Sequence, residues 1–211
     1  MIPVGNLKPK LLLATNNLGK ARELAVLLED VPFIVTTPQE VGITLQVEET
    51  GATFEENAAL KARAFATASG LFALADDSGL EVDALGGEPG PLSARYAGPE
   101  ASDEDRVRYL LAKLDGIEWG GRGARFRSVL ALADPYGNIH FFEGRCEGII
   151  AYEAQGVGGF GYDPVLYMPR LGKSMAELSL EEKNRVSHRG SAARKVVVYL
   201  KGVASSNKDK P

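Results

Sequence analysis

The sequence predicts an α/β fold, a mixed β-sheet flanked by helices. Three features carry that expectation: short apolar bursts of strand length, capped amphipathic segments between them, and a hairpin-like pair late in the chain. Lys10 to Ala14 reads Lys-Leu-Leu-Leu-Ala, a run that suits a strand buried on both faces. A polar turn, Thr15 to Gly19, leads into Ala21, Leu24, Ala25, Leu27 and Leu28 at helical spacing, and Phe33 to Thr37 returns as a strand. Thr53-Phe-Glu-Glu56 is a capping box, and the alanine-rich stretch behind it ends at Ser69 before Gly70, so both helix ends are signalled. Leu71 to Ala75 is a further buried strand, expected to stop where Asp76-Asp77-Ser78-Gly79 begins. Ser102 to Leu114 repeats the capped-helix pattern. Arg125 to Ala133 and Ile139 to Phe142 flank a turn-rich Asp134 to Asn138 and predict an antiparallel pair, which makes the sheet mixed. After a glycine-rich loop from Gly156 to Gly161 and a segment from Tyr162 to Met168, a box at Ser179 to Glu182 and a final helix from Ser191 to Lys201 close the fold.

Composition limits the class of function. The 211 residues are 45% apolar and 25% charged, which allows a packed core and excludes a disordered chain. Lys+Arg 24 against Asp+Glu 28 gives a formal charge of -4, so a broad basic face for a nucleic acid polymer is not expected. Any anionic ligand must meet local positive charge. The single cysteine, Cys146, can form neither an intramolecular disulfide nor a multi-cysteine zinc site. The first residues lack a signal-peptide pattern, and no apolar run reaches the roughly 20 residues of a membrane helix. The expectation is a cytoplasmic chain without membrane contact, one domain over residues 1–202 and a polar tail over 203–211.

Several segments could carry chemistry. The loop Thr15, Asn16, Asn17, Leu18, Gly19, Lys20 joins a strand to a helix, so its amides and the helix dipole could hold a phosphate beside the Lys20 ammonium. It is not a Walker A loop, since Ala21 stands where Ser or Thr is required; an ordinary turn is the alternative. Glu48, Glu49, Asp76 and Asp77 offer two carboxylate clusters, and magnesium commonly takes one or two carboxylates with waters and substrate phosphates. Asp77, placed just past a buried strand, is the better candidate for a base. Gly156 to Gly161 satisfies G-x-G-x-x-G, but Tyr162-Asp163-Pro164 cannot open the long helix a dinucleotide site needs. Phe160 could instead stack on a base, with Asp163 accepting from ring N–H groups. Lys183 to Arg189 concentrates cations with His188, which by itself also suits a solvated helix face. Nothing resembling a nucleophile elbow surrounds any serine.

Taken in order, the segments Thr-Asn-Asn-Leu-Gly-Lys (15–20), Glu-Glu-Thr-Gly-x-Thr-Phe-x-Glu-Asn (48–57), Ala-Asp-Asp-Ser-Gly-Leu (75–80), Leu-Gly-Gly-x-Pro-Gly (85–90), Ser-Ala-Arg-Tyr (93–96), Gly-Gly-Phe-Gly-Tyr-Asp-Pro (158–164) and Ser-His-Arg-Gly (187–190) resemble the inosine triphosphate pyrophosphatase family. The resemblance implies an elongated mixed-sheet α/β fold with two lobes around a central cleft. It also implies hydrolysis of ITP, dITP and XTP to the monophosphate and pyrophosphate, with magnesium, in a homodimer. Carried over by position, Thr15, Asn17 and Lys20 correspond to phosphate-contacting residues, with Lys61 as a further triphosphate ligand. Glu48 and Asp77 correspond to the metal site, Glu48 being chosen over Glu49 by counting back from Gly51. Asp77 is also the implied proton acceptor, Ser78 a substrate contact, and Asp76 a neighbouring carboxylate. Phe160, Gly161, Tyr162 and Asp163 match the base-binding segment, and Lys183, His188 and Arg189 its partner. Asn16 departs from the pattern, where glycine is common. The rival expectation within enzymes is a Maf-like pyrophosphatase of other modified nucleotides, and that from a different class is a non-catalytic nucleotide-binding regulator.

Overall fold

The computed structural model describes residues 8–206. The elements in chain order are β1 (Lys10–Leu13), α1 (Leu18–Leu27), β2 (Ile34–Thr36), α2 (Phe54–Ser69), β3 (Phe72–Val82), α3 (Asp103–Lys113), β4 (Gly123–Ala133), β5 (Ile139–Ile150), β6 (Leu166–Met168), β7 (Lys173–Ser174), α4 (Leu180–Val186) and α5 (His188–Ser206). The strands form a seven-stranded sheet in the order β2-β1-β3-β4-β5-β6-β7. β1 pairs parallel with β2 and β3, whereas β6 pairs antiparallel with β5 and β7, so the sheet is mixed as expected. The chain divides into two compact units, one holding residues up to Asp76 with Leu130–Phe142 and the residues from Ala193, the other Asp77–Val129 with Glu143–Ala192.

The first unit buries the apolar burst of β1: Leu11, Leu12, Leu13 and Ala14 are at most 1% exposed. Leu24 and Leu28 from the α1 segment, Ala58, Ala62 and Phe65 from α2, and Leu74 from β3 are buried as well. Thr53 caps α2 by accepting from the Glu56 amide. The second unit has its own core, with Leu80, Val82, Leu110, Leu114, Phe126, Ile150, Val165, Leu166 and Met175 in one cluster. Ser102 and Ser179 each form the capping box read from sequence, with Asp105 and Glu182 as their partners.

Five boundaries differ from the sequence expectation. β3 does not stop at Ala75 but runs to Val82, so Asp76, Asp77 and Ser78 lie within a strand rather than past its end. Its position between β1 and β4 supplies ladder partners that the local sequence does not announce. β5 likewise continues to Ile150 instead of ending at Phe142. α1 begins at Leu18, because the Asn17 side chain caps it by accepting from the Lys20 amide at 3.0 Å. α5 begins at His188, three residues early: the Ser191 amide donates to the Ser187 carbonyl at 2.9 Å and the Gly190 amide to Ser187 Oγ at 3.0 Å. α5 also continues to Ser206, so 203–206, the start of the expected tail, is helical. The remainder of that tail lies outside the described residues.

Candidate active site

In the first unit the structure assembles two cations and two carboxylates. Lys20, in the first turn of α1, places Nζ 3.0 Å from Asp76 Oδ2. Lys61, on α2, donates to Glu49 Oε1 at 2.6 Å and to the Asp76 carbonyl at 2.8 Å. Asp76 is 1% exposed and Lys61 9%, so these are pairs withdrawn from bulk water rather than surface contacts. Glu48 is exposed, whereas the partly buried Glu49 reaches the cluster. Counting from Gly51 therefore selected the neighbour of the carboxylate that the structure brings to Lys61.

Asn57 explains that register. It lies one helical turn before Lys61, is fully buried, and accepts from the Gly51 amide through Oδ1 at 2.8 Å. A Cβ on Gly51 would lie 2.7 Å from that oxygen and 2.6 Å from Glu56 Cβ, so only glycine fits there. The i, i+4 spacing of Asn57 and Lys61 was available in the sequence as a shared helix face.

The phosphate-loop residues form the approach to α1. Thr15 Oγ1 accepts from the Asn17 amide at 3.1 Å, and Asn16 Nδ2 donates to the Leu45 carbonyl at 3.1 Å, giving that side chain a local anchor. Leu18 is 78% exposed. With the Lys20 amide capped by Asn17, the Leu18 and Gly19 amides are the first-turn donors that a helix leaves without an intrahelical partner.

In the second unit Asp77 is 5% exposed, and its neighbour Ser78 accepts from Arg189 Nη2 at 2.8 Å through Oγ. Arg189 is 1% exposed and occupies the first turn of α5 beside His188, which stacks on Phe126 at 4.8 Å. Gly190 makes this placement possible, since a Cβ there would lie 1.9 Å from the Asn184 carbonyl oxygen. Asp163 is turned inward: its Oδ2 accepts from the Phe160 amide at 2.8 Å and from Lys183 Nζ at 2.5 Å. Lys183 Nζ and Arg189 Cζ stand 4.7 and 5.6 Å from the centre of the Phe160 ring. Tyr162 is buried and donates from its hydroxyl to the Ser93 carbonyl at 3.0 Å; burial pushes that phenol up. The Gly161 amide donates to Asp103 Oδ2 at 2.6 Å. Sequence reasoning missed Phe126 and Asp103, because neither contact leaves a local signal.

Among the described residues no three His, Cys, Asp or Glu side chains gather into a metal cage. Cys146 is buried, and burial pushes its thiol up to about 11, which suits a core residue rather than a nucleophile. No helix among the described residues is long and apolar enough to cross a membrane.

A family model described as Ham1 family matches residues 11–199. The chain belongs to the Ham1 family. Among its Ham1 relatives, a "dITP/XTP pyrophosphatase" of Methylococcus capsulatus is 53% identical over 200 residues, spanning 93% of this chain and 98% of the relative. One of the same name from Thermus thermophilus is 51% identical over 192 residues, 91% of this chain and 92% of the relative. Of solved structures, the Ham1 protein of Staphylococcus aureus matches with a TM-score of 0.82 at 44% identity, over 92% of this chain and 98% of that one. The HAM1 protein of Coxiella burnetii matches with a TM-score of 0.83 at 41% identity, over 91% and 98%.

Proposed function

We propose that this Ham1 protein is a dITP/XTP pyrophosphatase that splits deaminated purine nucleoside triphosphates into the monophosphate and pyrophosphate. The observation that carries the reading is the enclosed Lys20, Lys61, Glu49 and Asp76 cluster in a Ham1 chain about half identical to enzymes of that name. Lys20 and Lys61 receive the triphosphate, joined by the first-turn amides of α1. Asp77, buried on β3, orients the attacking water and takes its proton. Water attack on the α phosphorus breaks the α–β anhydride bond, and pyrophosphate leaves without a covalent intermediate.

The carboxylates fit a divalent ion of the magnesium type, which takes one or two protein carboxylates and fills its octahedron with waters and phosphate oxygens. Asp77 would hold it, with Glu49 in place of Glu48 as the second carboxylate because Glu49 is the one that reaches Lys61. When bound, the ion supplies charge neutralisation of the triphosphate and acidifies a bound water.

Specificity follows from donors. Hypoxanthine and xanthine present a keto oxygen at ring position 6, which accepts from His188 or Arg189; adenine presents an amino donor there, leaving donor facing donor. A mismatch of that kind rejects an analogue by roughly 10⁴. Phe160 gives the purine a stacking surface, while Asp163 fixes Phe160 and Lys183 rather than reading the ring itself. A homodimer is part of the same proposal and is read by light scattering after size exclusion.

The test is pyrophosphate release measured across dITP, XTP, ITP, dGTP, ATP and dCTP. Turnover confined to deaminated purines is expected, with Asp77→Asn lowering kcat by about 10²- to 10⁴-fold. Preference for dCTP, the pyrimidine of the panel, would replace this reading with a Maf-like activity. Binding without turnover would make the chain a nucleotide-binding regulator.

A further inference from the structure

We propose that Asp103 is a positioning residue for purine recognition, holding the tip of the Phe160–Asp163 loop from the first turn of α3. This rests on the reading that the loop bears the base-stacking ring. Two successive amides at the loop tip are each held by a carboxylate. The Phe160 amide donates to Asp163 Oδ2 at 2.8 Å, a bond between residues three apart. The Gly161 amide donates to Asp103 Oδ2 at 2.6 Å, across 58 residues of sequence. A bond inside a loop sets its shape, whereas a bond to a separate element sets where it stands.

The other ties hold the flanks of the loop and its far end at Asp163, which the Ala176 amide reaches through the backbone carbonyl at 3.2 Å and Lys183 Nζ through Oδ2 at 2.5 Å, and none of them takes the Gly161 amide. The Gly158 amide donates to the Ala176 carbonyl at 3.0 Å, and the Tyr162 hydroxyl to the Ser93 carbonyl at 3.0 Å. Asp103 is itself immobilised, because its Oδ1 takes the Arg106 guanidinium, whose Nη1 donates to the Ala94 carbonyl at 3.0 Å and also to the Ala101 carbonyl. An acid in a first helical turn ordinarily complements the helix dipole and no more. Here that acid is a fixed bracket with one oxygen for the helix arginine and one for the loop. The amide-to-carboxylate bond is charge-assisted, about twice as strong as a neutral one, and it keeps the Phe160 ring where Lys183 and Arg189 meet it.

The test measures KM and kcat for dITP, the dITP-over-dATP preference, and inhibition by pyrophosphate with magnesium, which reports phosphate binding without a base. Asp103→Ala is expected to raise KM about tenfold and to lower the preference about tenfold. Its kcat should stay within about twofold, and pyrophosphate inhibition should be unchanged. Asp103→Asn keeps one acceptor oxygen and should fall between, and it carries the test alone if the alanine variant does not fold. Asp105→Ala weakens the cap of the same helix without touching the loop and should leave KM and preference at parental values. Parental KM and preference in the Asp103 variants, equal loss of pyrophosphate inhibition, or the same change in Asp105→Ala would each overturn the proposal. Phe160→Ala run in parallel separates the failures: if it alters preference and Asp103→Ala does not, the base-reading loop stands and the role of Asp103 falls. If neither does, both fall.

Discussion

Lys183 and Asp163 show what a charge means when it is enclosed. Their side chains are 4% and 3% exposed, and the Nζ–Oδ2 distance is 2.5 Å. Removing the ammonium leaves a carboxylate in a poorly solvated place without the cation that balances it, the Phe160 amide replacing part of the loss. Lys183→Met is therefore expected to cost about 3–5 kcal/mol in urea denaturation, and the double variant Lys183→Met with Asp163→Leu to recover much of it, since an apolar pair leaves no stranded charge. Two residues further along α4, Arg185 pairs with Glu181, and both side chains are more than two-thirds exposed at 71% and 77%. Arg185→Ala should change stability by no more than about 0.5 kcal/mol in the same titration.

At the scale of elements, the helix starts with a Ser or Thr cap were the most readable part of the chain, whereas those of α1 and α5 were misplaced. Thr53, Ser102 and Ser179 announced three caps correctly because a capping bond is closed within four residues. The Asp105 carboxyl, which accepts from the Ser102 side chain and backbone and from Arg108, is held at about 2 against an ordinary 3.8. Because its folded value is depressed, its contribution is complete above the ordinary value and disappears as pH falls toward the folded one. The melting-temperature gap between the parent and Asp105→Ala should be constant above about pH 5 and close between about pH 4 and pH 2. Strand ends were less readable. Nothing local says that Asp76-Asp77-Ser78 continues β3, since its ladder partners are supplied by other strands and the Asp76 charge by Lys20, 56 positions earlier in sequence. The candidate site was legible as residue types at motif spacing, through resemblance to a family. The pairing of Lys61 with Glu49 and the reach of Asp103 to Gly161 were not, because each is decided by a distant partner.

For the whole molecule, ligand binding should register as stability. Pyrophosphate with magnesium at about one hundred times its Kd is expected to stabilise the chain by about 2.7 kcal/mol. For a chain of this size that is a rise in Tm of roughly 5–10 °C. EDTA should remove the rise, and an equal shift from pyrophosphate with EDTA present would dismiss the metal from the scheme. A feature of the resting cluster adds a kinetic consequence. With Lys20 on Asp76 and Lys61 on Glu49, two ammoniums and two carboxylates cancel, in a chain whose own balance is -4. Such a surface casts little positive potential into solution, so a polyanion is not drawn in from a distance and is gripped only once it arrives and the pairs exchange partners. Encounter is then governed by plain diffusion, and catalytic efficiency should vary weakly with ionic strength where an open basic funnel would lose it steeply.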